Sequence, residues 1–368
     1  MKQSLVISHK SSVLIQKKLL FILVFILSTV HYSLFTFANA DEFHSRAVVA
    51  IEASTGRILY AKNPNLKLPP ASTTKLMTSI IAIEELNPAN VVKISKHTCQ
   101  VAPLKAGFKE GDEITVETLL YAALMKSAND AAVALAEAVA GSEENFVYLM
   151  NRKAEAIGLK DTKFINPHGL PGPDQHTTAF DLSVMLRYAL RYPKLKEIIG
   201  TRETEVSTVK GNDLFLKNTN RLLWSDEGLI GGKTGYTRQA RHCFVCAAER
   251  EKDTVIVAIL GSPSRATLWK ESENLIDKGF NILANREEPA INFTKADYEV
   301  NNVQKVAYKK STRYHGKTSK AKKENLATGK RGKTVSSANK KGTMRKTAKG
   351  KKGKDYRVLE KNIYGSAG

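Results

Sequence analysis

The sequence predicts an α+β fold: an antiparallel sheet closed by its first and last segments, with flanking helices and a helical subdomain packed beside it. Two observations lead to this. Strand-like runs lie at both ends of the central span and helical patterns fill its middle. That span, about 240 residues, is long enough to bury one sizeable core together with such a subdomain.

Taken in order, Ala47–Ala61 holds two β-type runs around Ser54-Thr55-Gly56, which is a hairpin signal. Helical patterns follow at 72–86, 115–126, 130–140, 143–157 and 179–191, separated by turns rich in glycine and proline. Strand-like runs return at 228–236, 242–250 and 254–260, and an amphipathic helix covers 266–283.

The ends differ from this middle. Residues 1–40 read as an export signal, with Lys17-Lys18, an apolar run from Leu19 to Leu27, and small residues at Ala38 and Ala40 that fit cleavage before Asp41. An uncleaved anchor is the alternative, diluted by Ser28, Thr29, His31 and Ser33. Either way the rest of the chain is expected outside the cytoplasm, in the periplasm or at the outer face of the membrane and wall. Residues 41–290 form the expected folded domain, with 291–304 a linker and 305–368 a basic tail.

The formal net charge of +21 suggests a nucleic-acid binder until the charge is located. Residues 305–354 hold 19 Lys and Arg against one acid, Glu324. The tail thus supplies most of the charge, and the span from Asp41 to Gln304 is close to neutral. With almost nothing to fill a core, the tail is expected to be disordered, and an exported polybasic segment meets anionic envelope polymers or lipid head groups rather than DNA. A solvated extension without a dedicated partner is the plainer reading. Few aromatics interleave the lysines, which argues against stacking on single strands. Three cysteines make no disulfide framework. Cys243 and Cys246 sit on a strand-like run at an offset of three, which places them on opposite faces as buried thiols.

The chemistry centres on Ser72 and Lys75. Three residues apart at the start of a buried helix, they share a face, so the amine reaches the hydroxyl at the positive end of that helix. The string alone is weak: Ser207, Ser319 and Ser337 also stand three residues before a lysine, the last two in the tail. A second polar group, Lys126-Ser127-Ala128-Asn129-Asp130, falls where one apolar helix gives way to the next; there Asn129 or Asp130 would also serve as a plain cap. The third group, Gly231-Gly232-Lys233-Thr234-Gly235-Tyr236-Thr237, reads as a strand whose glycines admit close approach of a ligand, or else as an edge strand guarded by its lysine. A phosphate loop does not fit, because the Gly-x-x-x-x-Gly-Lys-Ser/Thr spacing is absent.

In that order, Ser72-x-x-Lys75, Ser127-x-Asn129 and Lys233-Thr234-Gly235 resemble the three motifs of the penicillin-recognising serine acyl-transferases. The fuller strings Ala71-Ser-Thr-Thr-Lys-Leu-Met-Thr, Ser127-Ala-Asn-Asp-Ala-Ala, Asn166-Pro-His-Gly-Leu-Pro, Thr177-Thr-Ala-Phe-Asp-Leu, Asn218-Thr-Asn-Arg-Leu-Leu and Gly232-Lys-Thr-Gly-Tyr-Thr resemble the low-molecular-mass D-alanyl-D-alanine carboxypeptidases, serine peptidase family S11. The resemblance runs from Ala47 to Leu283 and implies a serine transpeptidase/β-lactamase-like fold. It implies removal of the terminal D-Ala from peptidoglycan stem pentapeptides through an acyl-enzyme on Ser72, covalent inhibition by β-lactams, and no cofactor or metal. A D,D-endopeptidase acting on existing cross-links is the nearest alternative.

Residue chemistry supports these roles. A serine needs a base, and a lysine desolvated among cations has a lowered pKa. Lys75 is the candidate base and Lys233 the nearby cation. Ser127 is suited to relay a proton to the leaving amine, Asn129 to hold the substrate amide, and Thr234 to bind the terminal carboxylate. By resemblance, Gly235 belongs to the substrate strand, and the oxyanion donors are the backbone N–H groups of Ser72 and Tyr236. The family usually has Ala-Gly after this strand where the chain has Ala240-Arg241. Arg265 lies in the region of a family arginine that contacts the substrate carboxylate. The second domain and terminal membrane-binding helix that many members carry have no counterpart in the sequence beyond the tail.

Three rivals are weighed. A class A β-lactamase needs a Glu-x-x-Leu-Asn segment between the second and third motifs, and none is present. A zinc peptidase built on His168, Asp174 and His176 lacks a helical His-Glu-x-x-His set, which leaves these as loop residues. A non-catalytic wall-binding protein working through its tail has no need of intact Ser72, Lys75, Ser127, Asn129 and Lys233.

Overall fold

A computed structural model describes residues 43–293. The export segment and the basic tail lie outside the described residues. The chain begins with the expected hairpin, β1 (Ala47–Glu52) and β2 (Ile58–Lys62), and a short 3-10 turn, Ala71–Thr74, runs directly into α1 (Lys75–Glu85). The helical part then comprises β3 (Val91–Lys93), α2 (Lys96–Gln100), β4 (Glu113–Thr115), α3 (Val116–Leu124), α4 (Asn129–Ala140), α5 (Glu143–Ala156), α6 (Ala179–Ala189) and α7 (Pro193–Gly200). A hairpin, β5 (Glu203–Ser207) with β6 (Asp213–Lys217), precedes β7 (Leu229–Thr237), β8 (Arg241–Arg250) and β9 (Asp253–Ser262). The long α8 (Arg265–Leu283) and a short β10 (Ala290–Asn292) end the described chain.

The main sheet has the order β10-β2-β1-β9-β8-β7, so the first hairpin and the last four strands form one layer. Every pairing is antiparallel except that of β10, which adds to β2 in parallel at the edge. Both faces are covered, which explains the near-continuous apolar runs in β1, β8 and β9. Val49, Cys243, Val245 and Ala258 face the core shared with the helical layer, whereas Val48, Phe244, Cys246 and Val257 face the one filled by α8. The two cysteines therefore lie on opposite sides of β8, as their offset predicts, and are free thiols.

Local chemistry sets the helix ends. Ser95, Thr115, Ser142, Thr178 and Ser264 each accept a hydrogen bond from the backbone N–H three residues on, at the starts of α2, α3, α5, α6 and α8. On α8 the buried Glu271 carboxylate reaches back to the start of the described chain, where it accepts from the backbone N–H of His44 and Ser45 and from the Ser45 hydroxyl. The elements that the sequence patterns do not reveal are β3, β4 and β10 with three residues each, α2, β5 and β6 with five each, and α7 with eight. Segments of three to five residues complete too little of either period to stand out.

Candidate active site

Ser72 sits in the second position of the 3-10 turn, three residues before the α-helix proper, and its neighbour Ala71 takes φ +49. That left-handed value is costly for a residue with a Cβ, and such strain persists only where surrounding structure enforces it. Two neighbours press on this turn. A Cβ on Gly235 would come within 2.9 Å of the Ser72 nitrogen, so β7 lies against the serine backbone as only glycine allows. A Cβ on Gly169, at φ +85, would fall 1.8 Å from the Ala71 carbonyl oxygen, so the 166–170 loop covers the turn's other side.

Lys75 is fully buried, and its Nζ has three neighbours. It lies 3.0 Å from Ser72 Oγ, 2.7 Å from Asn129 Oδ1 and 2.8 Å from the His168 carbonyl. The last two groups only accept. The orientation of the Asn129 amide follows from its own partners, since Nδ2 donates to the Ala102 and Pro103 carbonyls at 3.3 and 2.7 Å. A neutral amine has two N–H groups and one lone pair. With both N–H groups directed to Asn129 and His168, the lone pair is left for the Ser72 hydroxyl. Burial first, and then the Lys233 charge, hold the amine well below the usual lysine range, while Asp130 opposes them.

Ser127 stands between α3 and α4 at φ +64, a second strained residue. Lys233, also fully buried, donates to Ser127 Oγ at 3.0 Å and to the Thr234 carbonyl at 2.9 Å. An ammonium there retains one further hydrogen for an incoming carboxylate. Burial pushes Lys233 down to about 7, and Lys75 is held well below its usual range by burial and then by the Lys233 charge. The Thr234 hydroxyl faces that of Thr219 at 2.6 Å, and the Thr219 backbone N–H donates to the Met125 carbonyl, tying this lip to the Ser127 junction.

The structure therefore brings together Ser72, Lys75, Ser127, Asn129, Lys233, Thr234 and Gly235 from three separate chain segments. Tyr236 is exposed at the end of the group, its ring stacked on His242 with centroids 4.5 Å apart. Sequence reasoning overlooked two contributors. Thr219 lies inside the quoted string Asn218-Thr-Asn-Arg, which is the signal that would have found it. The His168 carbonyl has no side-chain signal, yet its loop is visible in retrospect: Asn166 closes it by accepting from Gly169 N–H at 2.7 Å and donating to the Leu170 carbonyl at 2.9 Å.

This arrangement has known counterparts. The sequence pattern of the D-alanyl-D-alanine carboxypeptidase family, peptidase S11, matches residues 35–264. The chain belongs to this family. It is 34% identical over 241 residues to the D-alanyl-D-alanine carboxypeptidase DacF of Bacillus subtilis, a match covering 64% of this chain and 62% of the relative. A D-alanyl-D-alanine endopeptidase of Pseudomonas aeruginosa is 32% identical, with 64% of this chain and 77% of that protein covered. Among solved structures, the Streptomyces K15 DD-transpeptidase superposes with a TM-score of 0.63 at 29% identity, covering 66% of this chain and 99% of that one. The chain thus spans less than two thirds of the length of the DacF relative it matches.

Against the D-alanyl-D-alanine carboxypeptidase family pattern, the Ala240-Arg241 departure has a definite geometry. Arg241 opens β8 at φ +59, paired with Thr237, so the turn holds an L-residue in the left-handed region that favours glycine. An L-residue there costs about 1 kcal/mol. Arg265 is the first residue of α8 and is exposed. Its charge reaches His242, whose pKa is lowered by burial and then by that guanidinium.

The remaining candidates from the sequence lie apart from one another. His168 Nδ1 accepts from the Leu170 N–H, and its Nε2 lies 3.7 Å from Glu143. Burial, then Lys75, pushes this imidazole down to about 3, so it is neutral. His176 instead contacts the Asp174 carbonyl through Nδ1, and Asp174 faces Lys163 at 3.8 Å. Burial raises both strand thiols, Cys243 to about 12, which makes them poor nucleophiles.

Proposed function

We propose that this chain is a serine D-alanyl-D-alanine carboxypeptidase that removes the terminal D-Ala from peptidoglycan stem pentapeptides, and that residues 41–290 are its catalytic unit. The observation that carries the reading is the buried Lys75 amine 3.0 Å from Ser72 Oγ, with acceptors at 2.7 and 2.8 Å for its two N–H groups when it is neutral. In the first step the Ser72 proton passes to Lys75 as Oγ attacks the carbonyl of the penultimate D-Ala. The backbone N–H groups of Ser72 and Tyr236 hold the oxyanion. The C–N bond then breaks as Ser127 relays to the leaving D-Ala amine the proton that Lys75 took up, which returns both groups to their starting states, and an ester on Ser72 remains for water to hydrolyse. Lys233, Thr234 and Arg265 recognise the substrate's terminal carboxylate. Asn129 holds Lys75 in the free enzyme; to bind the substrate amide as well, its Nδ2 must leave the 102–103 carbonyls. β-Lactams acylate the same serine.

The similarity to a protein named as an endopeptidase, nearly as high as that to DacF, favours keeping a second reading, cleavage of existing cross-links. Both are tested on one protein. Incubation with a soluble pentapeptide should release one equivalent of D-Ala, and a cross-linked muropeptide dimer should be cut more slowly. Faster cutting of the dimer would reverse the assignment, and no action on either would remove it.

We further propose that the chain is exported and that the 305–354 segment retains it by binding anionic envelope polymers or lipids. What supports this is about +18 of charge in roughly fifty residues, with exposed charges screened beyond about 8 Å at physiological salt. Among the described residues no helix is long and apolar enough to cross a membrane. A protein ending at Gln304 should keep full activity on the pentapeptide but lose salt-sensitive sedimentation with purified envelopes. Equal sedimentation of both forms at low salt would leave the tail as a solvated extension.

A further inference from the structure

The Asn129 amide faces Lys75 only because its other end is held by a loop, and that loop is held by one side chain. Residues 101–108 have no regular structure. Leu104 within them is exposed and takes φ +75, a conformation that a leucine would leave if released. Three carbonyls of this loop serve Asn129: those of Ala102 and Pro103 accept from Nδ2, and that of Leu104 accepts from the Asn129 backbone N–H at 2.7 Å. The loop's own anchor is Asp130, only 1% exposed. One carboxylate oxygen accepts from Ala106 N–H at 2.8 Å and the other from Gly107 N–H at 2.9 Å, while the first also accepts from Ala131 N–H at 2.9 Å. Among the described residues no lysine or arginine forms an ion pair with this carboxylate, and its direct partners are backbone N–H groups.

We propose that Asp130 is a positioning residue for the catalytic base: by clamping the 102–107 loop it turns the Asn129 carboxamide oxygen toward Lys75. The inference rests on Lys75 being the base. If the clamp opens, Nδ2 loses its two carbonyls and the carboxamide is free to rotate. Once the NH2 end faces Lys75, the amine has one acceptor for two N–H groups, and its lone pair is no longer directed at Ser72. Asp130 is no plain helix cap: the N-cap of α4 is Ala128, with no side-chain cap, and both Asp130 oxygens are aimed outward at the loop.

The same carboxylate has a second, electrostatic consequence that a purely structural clamp lacks. The titratable and charged groups around Lys75 are Lys233 from β7, Asp130 from α4 and the neutral His168 from the loop after α5, with Glu143 and His97 behind it. Lys233 lowers the proton affinity of Lys75 and Asp130 raises it. Removing the Asp130 charge therefore leaves Lys75 neutral down to a lower pH.

The test measures penicillin acylation of the full chain as a function of pH in two variants. Asp130→Asn keeps one acceptor oxygen but loses the other and the charge; it is expected to acylate at least tenfold more slowly, with the acid limb moved to lower pH. Ala106→Pro removes one clamped N–H from a half-buried loop position and leaves the charge. It is expected to acylate several-fold more slowly, with the acid limb where the wild type has it. Wild-type rates in Ala106→Pro, or an unmoved acid limb in Asp130→Asn, would overturn the proposal. Should Asp130→Asn not fold, the Ala106→Pro rate decides alone. Lys75→Ala in the same assay tests the base separately, so the two assignments fail in different variants.

Discussion

Ser72→Ala protein treated with benzylpenicillin should gain no mass, whereas the wild type should gain a single covalent adduct, and release of D-Ala from a pentapeptide should fall with it by about 10⁴-fold or more. The expectation follows from what the hydroxyl does. Its oxygen is the only described nucleophile within hydrogen-bonding distance of the buried Lys75 amine. The rival thiols are removed from it in chemistry, since burial holds Cys243 and Cys246 protonated. Truncation to alanine should leave the fold unharmed, because Ser72 is partly exposed and Lys75 keeps both of its acceptors. Unchanged far-UV circular dichroism checks that point. An adduct that persists in the variant places the nucleophile elsewhere and ends the assignment.

The frame of this site is legible in the sequence wherever a period or a side chain carries the information. The first hairpin and strands β7, β8 and β9 show as apolar runs because both faces of the sheet are covered, and six helices show as helical patterns, four of which open on a Ser or Thr cap. Ser72, Lys75, Ser127 and Lys233 stand out because few chemistries need those side chains in that order. What holds them is less legible. The His168, Ala102, Pro103 and Leu104 partners act through backbone carbonyls, which every residue possesses, so no residue type announces them. Asn129 illustrates the limit: its identity suggests a substrate contact, yet the free enzyme uses all of its amide within the protein. The strained φ values of Ala71, Ser127 and Arg241 are likewise invisible, because none of the three is the glycine that would signal such a conformation.

Replacing Lys75 should have the second large effect, and it separates chemistry from stability. Lys75→Ala is expected to lose acylation by ~10³-fold or more, within the range attributed to a positioned general base. In the wild type the rate should fall as pH drops through the depressed Lys75 pKa, since protonation takes the lone pair from Ser72. Lys75→Met, close in volume and apolar, should be as inactive yet melt at a higher temperature near neutral pH. The sign follows from linkage. In the unfolded chain the amine stays protonated up to about 10.4, whereas in the folded chain it is lowered well below that, so folding releases a proton between these limits. Wild-type stability should therefore rise with pH across this window, and Lys75→Met should show a shallower rise, because one of the two lysines whose pKa is lowered by folding is gone while Lys233 still titrates. Acylation by Lys75→Ala at the wild-type rate would assign the base to another group, and an unchanged pH slope in Lys75→Met would mean that the amine keeps its proton in the folded protein.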